Sequence, residues 1–302
     1  MNKNPHICIT KAKYDSGGGL AGKNPWIKKY KHKEYRKKEL ARLKGEKQDM
    51  PDDLSGIYGM PDIRAKQEHP AGFYEFCKYL KITNPRSTPQ VIPLRLYDFQ
   101  RKFISAIHNN NFVLAKKFRQ GGFTTLGLAY LAWQGVFHNK RSVVVSCFDR
   151  FAMGLCYLVE RMLDEVPSYM LSHTKTRSHS IEFPGGGEIC FKNTQPCIGK
   201  QTDFVMFDEP AFWPDTDKVF KAMWPTIATG GKLFAISTPN KQEGWFYESW
   251  IDVNANFYKF EVPYTEHPQY HDKEWVETIK ANLGEKGWRQ EFLAEFLPIE
   301  LE

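Results

Sequence analysis

The stretch Phe112-Val113-Leu114-Ala115-Lys116-Lys117-Phe118-Arg119-Gln120-Gly121-Gly122-Phe123-Thr124-Thr125 limits the possible folds of this chain more than any other. Phe112 to Ala115 is an apolar run too short for a buried helix, and it suits a strand covered on both faces. The glycine pair breaks the run, and Thr124 to Phe137 then has the length and character of a helix. A strand that turns directly into a helix must return across its own sheet, so the next strand lies parallel to it. The same unit recurs. Ser142 to Cys147 reads as a β-branched strand and Arg150 to Glu165 as an amphipathic helix. Phe204 to Phe207 reads as a strand, Asp217 to Trp224 as a helix, and Lys232 to Ser237 as a further strand. Upstream, helices are predicted from Phe73 to Leu80 and from Tyr97 to His108, with a proline-punctuated loop from Thr83 to Pro93 between them. Ser180 to Phe183 and Glu188 to Lys192 flank three glycines and predict a hairpin. Strands alternating with helices imply an α/β fold, a mostly parallel sheet with helices on both faces.

The opening stretch also has the layout of a nucleoside triphosphate loop. Backbone N–H groups at a glycine turn, together with the positive end of a helix, hold phosphate. Such loops ordinarily end Gly-Lys-Ser/Thr, whereas this one ends Gly122-Phe123-Thr124, with phenylalanine in the lysine position. The cations come earlier. Lys117 is the candidate for the β/γ-phosphates, with Lys116 competing, and Arg119 is a second candidate for charge developing on the γ-phosphate. Thr124, at the helix start, is placed to put its hydroxyl on Mg²⁺.

Two further strand ends bear on the same chemistry. Phe204-Val205-Met206-Phe207 runs into Asp208-Glu209, 84 residues after Thr124. Ligands of open α/β sheets bind at the carboxyl ends of strands, so Asp208 suits Mg²⁺ and Glu209 suits polarising an attacking water. Leu233 to Ile236 ends in Ser237-Thr238-Pro239-Asn240, a polar turn fit to sense the γ-phosphate or that water. Taken singly, each feature also describes an ordinary element: an unliganded strand–turn–helix, a strand ending in surface acids, a common turn.

Composition narrows the class. No apolar run approaches the roughly 20 residues that span a bilayer, and the first residues carry no apolar signal segment. A soluble intracellular protein is expected. The six cysteines form no C-x-x-C pair, which predicts free thiols and no zinc. The net charge of +7 is unevenly placed, +10 over residues 1–48 and −3 over the rest. A basic arm of this kind is either a solvated extension or a phosphate-neutralising segment that binds nucleic acid. Residues 1–72 are accordingly expected to form a basic arm, with a helix from Lys28 to Lys47, and a linker, ahead of a catalytic domain over 73–300.

In this order the motifs resemble the ATPase domain of the large terminase subunit of tailed bacteriophages, over about Phe73 to Pro298. Leu96-Tyr97-Asp98-Phe99-Gln100 resembles the family's adenine-recognition segment, with Gln100 reading the base and Tyr97 nearby. Lys117-Phe118-Arg119-Gln120-Gly121-Gly122-Phe123-Thr124 resembles its deviant phosphate loop, in which the lysine comes early. Asp208-Glu209 and Ser237-Thr238-Pro239-Asn240 resemble its acidic pair and its coupling motif. Trp288 to Phe296 resembles the segment that closes the ATPase region. The resemblance implies a P-loop NTPase of RecA/ASCE type that uses ATP and Mg²⁺ to drive double-stranded DNA into a procapsid in the host cell cytoplasm. It implies a site in which Tyr97, Gln100, Lys117, Arg119, Gln120, Gly121, Gly122, Thr124, Thr125 and Ser237 contact nucleotide, Thr124 and Asp208 hold the metal, and Glu209, Arg119 and Thr238 serve catalysis. It implies a homo-oligomeric ring docked on a portal protein and a small terminase subunit, with no membrane. An arginine supplied in trans is left between Arg150 and Arg161. The family's C-terminal nuclease domain would follow Glu302, so no nuclease activity is expected here. Another nucleic-acid translocase or helicase, or a non-hydrolysing DNA-binding module, are the alternative readings.

Overall fold

The computed structural model describes residues 70–83, 91–195 and 201–299. The expected arm, its helix and most of its linker fall outside the described residues. Among the described residues, an eight-stranded sheet is built from β3 (Phe112–Lys117), β4 (Arg141–Val145), β5 (Lys175–Arg177), β6 (Ser180–Glu182), β7 (Glu188–Lys192), β8 (Phe204–Asp208), β9 (Lys232–Ser237) and β10 (Tyr258–Val262). Their spatial order is β10-β3-β9-β8-β4-β7-β6-β5. From β10 through β7 every neighbouring pair is parallel; β6 and β5 extend the sheet antiparallel. This is the expected α/β architecture, a mostly parallel sheet, in which β9 lies between β3 and the acidic strand β8. The register aligns the strand ends, since Lys116 opposes Ser237 and Asp208 opposes Ile236.

Alternation along the strands builds two cores. Val113 and Ala115 of β3, Phe204 and Met206 of β8, and Phe234 and Ile236 of β9 face one side. There they meet α1 (Ala71–Cys77), α2 (Asp98–Asn109), α3 (Phe123–His138) and α4 (Asp149–Leu163). Leu114, Val205, Phe207, Leu233 and Ala235 face the other side, against α5 (Thr216–Ile227) and α6 (Gly244–Ile251). Helices cover both faces, which is why the central strands read as unbroken apolar runs. The α3 helix is buried almost all round, because α1, α2 and α4 pack over it as well as the sheet beneath. It starts from Gly122 in the left-handed region at φ 78° and stops at Asn139, also left-handed at φ 55°.

Three differences from the sequence expectations have local causes. The loop predicted from Thr83 to Pro93 ends in a short strand, β2 (Val91–Pro93), which pairs antiparallel with β1 (Lys81–Thr83); Pro93 sits at the end of its strand, where a missing N–H is tolerated. The edge strand β10, whose Tyr258-Lys259-Phe260-Glu261-Val262 alternates apolar and polar residues, and the short aromatic-rich helix α6 are absent from the sequence expectations. The α7 helix (Lys273–Glu291) is mostly exposed and charged, so it carries little apolar periodicity; Asp272 caps it by accepting from the N–H groups of Glu274 and Trp275, and Gly284 kinks it.

Candidate functional site

The carboxyl ends of β3, β8 and β9 bring one cluster together. Strand alternation separates the two lysines of β3. Lys117 turns toward the phosphate loop, where its buried ammonium pairs with Glu209 and donates to Thr238 Oγ1 at 2.7 Å. Lys116 turns to the opposite face, pairs with Glu261 of β10 at 2.6 Å, and lies over the rings of Trp250 and Phe296. Of the two candidates, only Lys117 is in the cluster.

Glu209 is held by several partners. Its backbone is left-handed (φ 57°, ψ 47°), in a position where Pro210 disfavours the right-handed helical region. Its N–H donates to the Ile236 carbonyl at 2.8 Å. Carboxylate Oε1 takes Lys117, while Oε2 accepts from the Thr238 N–H at 2.9 Å and from the Ser237 hydroxyl at 3.3 Å. A non-glycine residue held in this sparsely populated conformation is a mark of functional sites. The turn beyond it is tied to the coupling loop, since the Ala211 N–H donates to Ser237 Oγ and Asn240 Nδ2 donates to the Ala211 carbonyl.

Asp208 is buried at the end of β8 and accepts the Thr124 hydroxyl at 2.7 Å. Burial, and after it the neighbouring Glu209 charge, push its carboxyl up to about 6, while the Thr124 hydrogen bond and Lys117 pull the other way. A hydroxyl and a carboxylate converging here are hard oxygen donors of the type Mg²⁺ takes. A cation between them would replace burial's penalty on the charged carboxylate with an attraction, so the residues fit the ion that the motifs imply.

The loop itself explains Phe123. Its ring is 1% exposed and packs against Phe99, Phe103, Phe118 and Phe260 at centroid distances of 5.1–6.2 Å. It seats the first turn of α3 in the aromatic core. A lysine here would have to bury its charge in that core. Gly121 is tight against the same ring, since a Cβ would come 2.6 Å from Phe123 Cε2. Gln120 and Gly122 both take positive φ, with Thr124 and Thr125 in the helical turn that follows.

Other expected residues make protein contacts of their own. The resemblance assigns Gln100 to base recognition. In the structure its Oε1 accepts the Tyr97 N–H at 3.0 Å, capping α2, and its Nε2 donates to the Gly121 carbonyl at 2.9 Å. One end of its amide thus caps α2 and the other braces the glycine turn. Tyr97 stacks on Phe99 and lies 4.9 Å from the His267 ring. The exposed Arg119 does not point into the Asp208–Glu209 cluster: its Nη1 donates to both carboxylate oxygens of Glu291, at 3.1 and 3.3 Å, and its N–H donates to the Glu291 carbonyl at 2.7 Å. Arg150 is exposed over Phe148 and Phe151, and Arg161 donates to Thr83 Oγ1 at 2.8 Å. Sequence reasoning missed Glu291 and Glu261. The available signal for Glu261 was the apolar–polar alternation of Tyr258 to Val262, which marks a strand but not its pairing with β3.

Among the described residues, no helix is long and apolar enough to cross a membrane. A family model described as "Terminase large subunit, T4likevirus-type, N-terminal" matches residues 119–298. Solved structures share the fold. The large terminase ATPase domain of Thermus phage P74-26 is 19% identical with a TM-score of 0.53, covering 67% of this chain and 94% of that one. The large terminase of bacteriophage HK97 is 16% identical with a TM-score of 0.60, covering 74% of this chain and 54% of that one. A large terminase from another thermophilic bacteriophage, in complex with ADP, is 16% identical with a TM-score of 0.54, covering 67% of this chain and 54% of that one. The chain thus spans about half the length of the HK97 protein and of the ADP-bound terminase.

Proposed function

Because the chain belongs to the terminase large subunit family, T4likevirus type, we propose that it is the Mg²⁺-dependent ATPase of a viral genome-packaging motor, coupling ATP hydrolysis to translocation of double-stranded DNA. The observation that carries this reading is the Lys117–Glu209–Thr238 cluster beside the Thr124–Asp208 pair, assembled from three adjacent strand ends. The ADP held by one structural neighbour, a large terminase from a thermophilic bacteriophage, supports a nucleotide as the ligand.

On this reading the N–H groups of the Gln120–Thr124 turn and the start of α3 receive the phosphates. Lys117, at the strand end, supplies the charge that Phe123 cannot. Thr124 and Asp208 hold Mg²⁺, which when bound neutralises phosphate charge. Glu209 orients the attacking water and accepts its proton. Lys117 occupies Glu209 Oε1 here, so incoming phosphates compete for the ammonium and release that oxygen for water. Arg119, paired with Glu291 outside the cluster, would have to leave that carboxylate to reach the γ-phosphate. Ser237, Thr238 and Asn240 carry the change at Glu209 into the loop beyond β9. Double-stranded DNA, a portal protein, a small terminase subunit and further copies of the chain in a ring are the partners this function requires.

The test is phosphate release by Glu209→Gln. Turnover is expected to fall by roughly 10²–10⁴-fold, the usual worth of a positioned general base, with ATP binding retained. Turnover within about twofold of wild type would remove Glu209 from the chemistry.

A further inference from the structure

Lys116 has no place in the cluster, yet its side chain is only 11% exposed. A lysine near a sheet edge ordinarily lays its stem along the surface and carries its ammonium into water. This one does otherwise. Besides the Glu261 carboxylate at 2.6 Å, its Nζ lies 5.0 Å from the Trp250 ring centroid and 5.6 Å from that of Phe296. A carboxylate alone satisfies the charge; two aromatic faces in addition amount to a clamp, because a cation near ring faces attracts them both.

What the clamp holds is informative. Phe296 belongs to the segment after α7 and also packs on Phe246 and Tyr247 of α6. The next residue, Leu297, donates its N–H to the Asn240 carbonyl at 2.9 Å, and its carbonyl accepts the Gln242 N–H at 2.8 Å. Lys241 and Leu297 form a parallel bridge. Asn240 is the end of the coupling loop and is bonded through Ala211 and Ser237 to Glu209. Each step from Lys116 to Glu209 is therefore a contact or hydrogen bond, and the path leaves β3 on the face opposite Lys117.

We propose that Lys116 is a positioning residue that fixes the 293–297 segment against the coupling loop, so that this loop presents Ser237 and Thr238 to Glu209 in one arrangement. The two lysines of β3 then divide the work, Lys117 facing the phosphates and Lys116 the mechanical output. The catalytic part of this assignment rests on the ATPase reading; the positioning part does not.

Hydrogen exchange at the amides of Gln242 and Leu297 in the full chain, alongside steady-state ATP hydrolysis, tests it. Lys116→Met keeps the length of the side chain and removes the charge. Exchange at both amides is expected to rise about tenfold or more, as for a locally opened segment. The kcat should drop about tenfold while KM for ATP stays within about twofold, since phosphate binding is left alone. Lys116→Arg, which keeps both the ion pair and the ring contacts, should restore most of the protection and the rate. Phe296→Leu removes one ring without touching β3 and should reproduce the exchange effect, which keeps the test open should Lys116→Met fail to fold. Wild-type protection of both amides in Lys116→Met or in Phe296→Leu would overturn the proposal. So would a KM raised about tenfold with kcat unchanged, which would return Lys116 to the phosphates. A wild-type chain without ATP hydrolysis would defeat the functional reading, and the exchange result would still decide the positioning.

Discussion

Two clusters on one sheet place a single glutamate against several donors. At the interior strand ends, Glu209 takes Lys117, the Thr238 N–H and the Ser237 hydroxyl. At the antiparallel edge, Glu182 of β6 takes Lys175 and Arg177 of β5. The contacts look alike, but the settings differ. Lys117 is 6% exposed, whereas Lys175 and Arg177 are 63% and 54% exposed. Water screens the edge cluster and competes for its donors, so its geometry matters little. The interior cluster is partly shielded from water and includes a left-handed backbone that only its surroundings maintain. The lesson is that a charge cluster becomes a candidate site when its surroundings hold it, not because of its membership.

The largest effect should come from what seats the interior cluster. Phe123→Ala removes a ring buried among four others and is expected to lower stability by about 3–5 kcal/mol, read by chemical denaturation. Phe123→Lys, which completes the ordinary phosphate-loop pattern, should destabilise as well and gain no ATP affinity. Tighter binding in that variant would break the account of Phe123 given above.

Next in size is Lys117→Met. Losing a charge-assisted contact of about 1.5–3 kcal/mol corresponds to roughly tenfold or more in ATP affinity, measurable by calorimetric titration. An unchanged affinity would erase the distinction between the interior cluster and the edge.

A smaller effect follows from Asp208. Its carboxyl is raised from 3.8 to about 6, chiefly by burial. The folded state therefore keeps a proton that the unfolded chain has released. Stability from this group is fully present below the unfolded value and is lost as pH rises from about 4 to about 6. Asp208→Asn should flatten the slope of melting temperature against pH in that window; an identical slope would show that another group titrates there.

The smallest effect sharpens the comparison from the other side. Desolvation raises the Glu182 carboxyl, but Lys175 and Arg177 together outweigh it and hold the group below its ordinary range. Both partners are exposed, so water screens what they contribute. Glu182→Gln should leave melting temperature and turnover unchanged within error. A clear loss would mean that the edge cluster, too, is held by its surroundings.

Much of this was legible in the residues alone. β9 falls where its β-rich run predicts, and β3 and β8 begin where their apolar runs begin, because strands covered on both faces admit little else. The acids after Phe207 and the hydroxyls after Ile236 could be placed at strand ends by simple continuation. Less legible were residues whose role depends on a partner distant in the chain. Gln100 has a plausible ligand role by motif, but its amide is engaged by Tyr97 and Gly121. Arg119 meets Glu291, 172 residues later.

The adjacent lysines mark the boundary between what the sequence determined and what folding decided. The order of residues alone determined that a strand would end in two cations before a glycine turn, and that the turn would open a helix. It favoured Lys117 over Lys116 by motif alone, because a strand taken to end at Ala115 assigns neither lysine a face. Folding extends β3 to Lys117 by pairing it in parallel with β9 and β10, and side chains on a pleated strand alternate. That pairing turns Lys117 toward Glu209 and Lys116 toward Glu261, Trp250 and Phe296. Which lysine meets which carboxylate is a property of the sheet, since the strands that carry those carboxylates are neighbours only in space.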